Sequence, residues 1–98
     1  MSTATDTITK IQLKEPELWD VIIYNDDKTP MDFVTGILEE IFHKNSKEAV
    51  QLMLNIHHNG SAVAGTYVYE IAEQKGIEVT LLARNHGFPL QVKIESES

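Results

Sequence analysis

The chain has 98 residues, 42% of them apolar, with 8 basic and 15 acidic side chains and a formal net charge of −7. That length and apolar content fit one domain with a single core of modest margin. The acidic balance argues against a nucleic-acid binder, which needs clustered Lys and Arg, and the lack of cysteine excludes disulfides, thiol catalysis and thiolate metal sites.

Residues 1–16, MSTATDTITKIQLKEP, are rich in Thr, hold few large apolar side chains (Ile8, Ile11 and Leu13) and end at Pro16. They read as a flexible N-terminal arm, residues 1–17, ahead of a core domain, residues 18–98. The N-terminus lacks the basic and apolar regions of a secretory signal and shows no transit peptide, and no stretch is apolar enough to span a bilayer. A soluble protein of the cytoplasm, without membrane or nucleic-acid partners and monomeric, is therefore expected.

Residues 18–24 (LWDVIIY) form a short apolar, β-branched run bounded by a turn, which predicts a buried strand. Thr29 then fits the N-cap of a helix, Pro30 its first position and Asp32 the third, where a carboxylate favours the helix dipole. Met31, Val34, Ile37, Leu38, Ile41 and Phe42 recur at helical spacing, and Asn45 is placed to end that helix. Ser46 is placed to cap a second helix over residues 47–58, closed by Asn59-Gly60. Residues 61–67 (SAVAGTY) predict a strand of small residues in which Gly65 marks a bulge or a close backbone approach. A long helix follows over residues 69–86, with Gly76 inside it and Gly87 and Pro89 after it. Residues 90–95 (LQVKIE) alternate as a half-buried strand does. The order β-α-α-β-α-β predicts an α+β fold: a small two-layer sandwich, three helices against one face of a three-stranded antiparallel sheet.

The chemistry concentrates in YNDDKTPM, residues 24–31. Asn25, Asp26 and Asp27 supply more polar atoms than a turn needs. Helix geometry puts Met53 and His57 on one face of the second helix. A metal site from Asp26, Asp27, His57 and His58 is disfavoured because successive helical residues point about 100° apart. There is no HExxH motif, EF-hand loop or glycine-rich phosphate loop. A small hydrolase using Asp26, Asp27 and His57, with metal or acid/base chemistry, remains an alternative, as does a generic interaction domain.

Four segments, NDDKTPMDFV, AVQLMLNIHHNG, AGTYVYEIAEQK and ARNHGFPL, together resemble the ClpS family, adaptors of the Clp protease. The resemblance covers residues 18–95 and implies the same fold of three strands and three helices. It implies an N-degron receptor that binds proteins beginning with Leu, Phe, Tyr or Trp and passes them to a Clp AAA+ unfoldase, with no catalytic residue, metal or cofactor. On the matching positions, Asn25, Asp27 and His57 would hold the α-amino group and Asp26 would contact the peptide backbone. Thr29, Met31, Val34, Met53, Ile56 and Leu90 would wall the side-chain pocket. Tyr67, Glu70 and Lys75 would dock on the unfoldase N-terminal domain, and the arm would engage its pore. The chain departs from the family pattern at His58, Val68 and Gly76.

Overall fold

The computed structural model describes residues 16–97. The expected arm lies outside the described residues except for Pro16 and Glu17. Three strands, β1 (Leu18–Tyr24), β2 (Ser61–Val68) and β3 (Gln91–Ser96), and three helices, α1 (Met31–Glu40), α2 (Ser46–Asn59) and α3 (Tyr69–Asn85), follow in the order β1-α1-α2-β2-α3-β3. The sheet is antiparallel with β1 in the centre, in the order β2-β1-β3. Among the described residues no helix is long and apolar enough to cross a membrane.

Pleating explains which side of the sheet is covered. Val21 and Ile23 of β1 are buried and Trp19 packs against the same cluster. On β3, Val92 and Ile94 lean on the core while Gln91, Lys93 and Glu95 are exposed. The register of β1 with β2 shifts between Val21, opposite Gly65, and Ile22, opposite Val63, so Ala64 is an extra residue. This bulge keeps both Ala62 and Tyr67 on the core side of β2, although an odd number of positions separates them. Gly65 also meets the second expectation for it. A Cβ there would stand 2.7 Å from Cζ of Tyr67, so the ring needs the bare backbone beneath it.

The helices close the other layer. Ile37, Leu38, Ala49, Ile56, Ala72, Val79 and Ala83 join the sheet residues in one core. Trp19 and Tyr69 meet edge to face at 5.0 Å, fixing the start of α3 where Val68 provides no side-chain cap.

The helix ends differ from the sequence reading in three places. Thr29 does not cap α1: Pro30 holds the cap position with φ −64° and ψ 145°, so Met31 is the first helical residue and Asp32 the second. The Thr29 hydroxyl is taken by the Asp26 carboxylate instead, at 2.8 Å. At its other end α1 stops at Glu40, not near Asn45, because His43 turns left-handed (φ 57°) and the Lys44 N–H returns to the Leu38 carbonyl at 3.0 Å. Finally, Asn45 rather than Ser46 caps α2. Its side chain accepts the Glu48 N–H at 2.8 Å, and the Glu48 carboxylate accepts the Asn45 N–H at 3.1 Å. Asn45→Ala is expected to lower stability by about 1 kcal/mol, measured as a shift in the urea midpoint at unchanged slope.

Candidate functional site

The loop after β1 is built by its own acids. Asp26 Oδ1 accepts the backbone N–H groups of Lys28 (2.8 Å) and Thr29 (2.7 Å), and Oδ2 accepts the Thr29 hydroxyl (2.8 Å). This is the turn chemistry expected of a short carboxylate side chain. Burial raises the Asp26 pKa, but the Thr29 and Lys28 hydrogen bonds and the Arg84 charge outweigh it, so the carboxyl titrates below its ordinary value. Three of its roughly four acceptor positions are committed within the loop.

A second bond sets the loop against α2. The Asn25 N–H donates to the carbonyl of Gly60 at 2.8 Å. Gly60 is the left-handed residue (φ 91°) that terminates α2, and His57 stands in the last turn of that helix. The end of β1 and the end of α2 are thereby held side by side. The side chains of Asn25, Asp27 and His57 are exposed and make no hydrogen bond or ion pair among the described residues. The His57 ring meets only that of His58, edge on, at 5.4 Å. No group of three His, Cys, Asp or Glu among the described residues is arranged to hold a metal ion.

The apolar candidates divide by depth. Val34, Ile56 and Leu90 belong to the core cluster, 7%, 2% and 1% exposed, and Met53 packs against them at half burial. Met31 is 44% exposed at the first position of α1, next to the half-buried Thr29. Val34, Ile56 and Leu90 thus lie in the core with Met53 at its edge, and Met31 is at the surface at the start of α1.

Tyr67, Glu70 and Lys75 occupy a different part of the surface. The Lys75 ammonium lies 5.8 Å from the centroid of the Tyr67 ring and donates to the Ile41 carbonyl at 2.7 Å. Ile41 is the C-cap of α1, whose last turn has no basic residue of its own, so Lys75 supplies the charge that this helix end favours. Glu70 is exposed in the first turn of α3.

One contributor escaped the sequence reading. Arg84, in the last turn of α3, donates from Nη1 to the carbonyls of Phe88 (2.8 Å) and Leu90 (2.9 Å). A basic residue at a helix end is common, and only its position just ahead of an HGFPL segment hinted at more.

Comparison with known proteins gives the family. The family model for the ATP-dependent Clp protease adaptor protein ClpS matches residues 14–93. A ClpS adapter protein of Campylobacter jejuni is 50% identical over 93 residues, which is 95% of this chain and 97% of the relative. That of Deinococcus radiodurans is 46% identical over 94 residues, 96% of this chain and 83% of the relative. Among solved structures, Agrobacterium tumefaciens ClpS2 bound to L-phenylalaninamide matches with a TM-score of 0.82 and 38% identity, over 85% of this chain and 100% of that one. On the family model, the identity over nearly full length and the shared fold, the chain belongs to the ClpS family of ATP-dependent Clp protease adaptors.

Proposed function

We propose that this chain is a non-catalytic adaptor of the cytoplasm. It binds proteins by a free α-amino group followed by a large hydrophobic side chain (Leu, Phe, Tyr or Trp) and delivers them to a Clp AAA+ unfoldase. The observation that carries this reading is the solved relative that holds L-phenylalaninamide, a free amine on an aromatic residue with an amide where a peptide would continue.

The chemistry of the site supports it. An α-amino group has a pKa near 8, so at neutral pH it is mostly an ammonium with three donors. Asn25, Asp27 and His57 offer acceptors whose side chains make no hydrogen bond within the described chain. Asp27 supplies the charge, and the remaining acceptor position of Asp26 is available to the peptide backbone. Val34, Ile56 and Leu90 make the floor of the side-chain pocket, with Thr29, Met31 and Met53 nearer its mouth. Such a site rejects wrong ligands by leaving the acceptors that a bound ligand covers without donors. The test is a titration with Phe- and Leu-starting peptides and their acetylated copies. Binding that disappears on acetylation supports the reading, and equal binding of the two forms overturns it.

Met31 governs selectivity in this reading. A branched Cβ brings bulk close to the peptide backbone, where Met31 is assigned to narrow the mouth of the pocket. Met31→Ala is expected to admit Ile- and Val-starting peptides, measured by the same titration. A loss of Leu and Phe affinity without gain of Ile or Val would reduce Met31 to a passive wall.

Docking on the unfoldase is assigned to Tyr67, Glu70 and Lys75, and the arm to engagement of the unfoldase pore. Glu17 is best kept in any truncation, because its carboxylate accepts the Ser96 hydroxyl at 2.5 Å. Deleting residues 1–15 is expected to leave stability within about 0.5 kcal/mol and peptide affinity unchanged, while substrate degradation by purified Clp unfoldase and peptidase is no longer stimulated. Equal delivery by the full and shortened chains would remove any role for the arm.

A further inference from the structure

The path from α3 to β3 is short, and its own backbone hydrogen bonds reach only as far as Phe88, with the Gly87 N–H on the Arg84 carbonyl at 3.0 Å. Gly87 takes a positive φ of 78°, Pro89 has no N–H to donate, and the Phe88 N–H is spent on the Ala83 carbonyl at 2.9 Å. The carbonyls that follow are those of Phe88 and Leu90, and Arg84 takes both with a single nitrogen. The first of these bonds is exposed and the second is part-buried. Leu90 itself is almost wholly buried, in the cluster that includes Val34 and Ile56. The guanidinium also bears on the loop after β1, where its charge helps keep Asp26 ionised. One exposed side chain therefore ties the end of the last helix to the entry of the last strand.

We propose that Arg84 is a positioning residue for the N-terminal side-chain pocket: by holding the Phe88 and Leu90 carbonyls it sets where the Leu90 wall stands. This rests on the reading of Leu90 as a pocket wall given above. Arg84 touches no ligand in this account. It acts on the size of side chain the pocket prefers, not on capture of the ammonium, which belongs to Asn25, Asp27 and His57. Arginine suits the task because its planar head presents donors in a fixed arrangement at the end of a long stem.

The test uses the full chain and free-amine peptides starting with Phe, Trp and Leu, together with an acetylated Phe peptide, titrated against wild type, Arg84→Met and Arg84→Lys. Met keeps an apolar stem and removes the donors. In Arg84→Met the ratio of Trp to Leu affinity is expected to change by about fivefold or more, the scale of a difference of one methylene or so in a side-chain pocket. The factor lost on acetylation should stay as in wild type, and Arg84→Lys should recover part of the wild-type ratio. If all peptides weaken by one common factor, Arg84 acts only on stability and the proposal falls. An unchanged ratio in the folded variant overturns it equally. Should Arg84→Met fail to fold, the same ratio measured in Arg84→Gln decides the matter by the same criteria. Wild-type protein that binds free and acetylated peptides alike would overturn the degron reading itself, and this proposal with it.

Discussion

Asp27→Ala is expected to weaken binding of a Phe-starting peptide by about ten- to a hundredfold, the loss of one charge-assisted hydrogen bond of roughly 1.5–3 kcal/mol. The fold should be indifferent to the change. Asp27 is exposed, and its carboxylate makes no hydrogen bond or ion pair among the described residues. Its neighbour Asp26 makes the opposite case, since three bonds tie its carboxylate into the loop. The two adjacent acids should therefore separate in experiment. Asp27→Ala loses affinity at constant melting temperature, whereas Asp26→Ala loosens the turn that presents Asn25 and Asp27. His57→Ala should weaken binding less steeply than Asp27→Ala, because a neutral imidazole brings no formal charge to the ammonium. Unchanged affinity in folded Asp27→Ala would reject the carboxylate as the ammonium's partner. Circular dichroism and isothermal titration on the same samples give both readings.

Leu38→Ala is expected to lower unfolding free energy by about 2–5 kcal/mol, the range for emptying a buried leucine site. Leu38 is 0% exposed, on the inner face of α1 with Val34 and Ile37. A domain of this kind has roughly 5–15 kcal/mol in hand, so the single change removes a large share. Its spread depends on how far the surroundings collapse, and α1 is anchored at both ends against such movement. The Asp26 turn precedes it, and Lys75 holds the Ile41 carbonyl after it. That anchoring places the expectation in the upper part of the range. A urea titration measures it. A loss below about 1 kcal/mol would show that α1 moves inward to fill the space.

Much of the fold was legible because pattern and environment agree. The strand over residues 18–24 was read to its observed ends, since an apolar, β-branched run stops abruptly at Asn25. The helix α1 was read too long for a physical reason. Ile41 and Phe42 continue its apolar spacing and are buried, yet Ile41 is already the C-cap and the chain turns away at His43. Burial kept the pattern going past the end of the helix. The cap of α1 was misplaced because the Thr29 hydroxyl had two possible partners, the helix N-terminus and the Asp26 carboxylate. Propensity could not rank them.

The candidate site was legible only through resemblance. Nothing in spacing brings Asn25 near His57. The bond that sets their elements together runs between backbone atoms of Asn25 and Gly60, which almost any residues could supply. The same holds for Lys75 on the Ile41 carbonyl, 34 residues away in sequence. A side chain that ends on a distant carbonyl leaves no complementary residue type to find.

The central place of β1 has a consequence for how the chain is made. Among the described elements this strand is made first, yet one of its partners is made last, with Trp19 paired to Ser96. During synthesis β1 first meets β2, and the pair has no second flank until β3 emerges. The long helix α3, which lies between the two events, must wait with it, because its inner face packs on all three strands. Non-local pairing of this kind delays the closing step and prolongs exposure of apolar edges. The domain therefore completes its fold only when the six residues from Gln91 to Ser96 are free to reach the open side of β1.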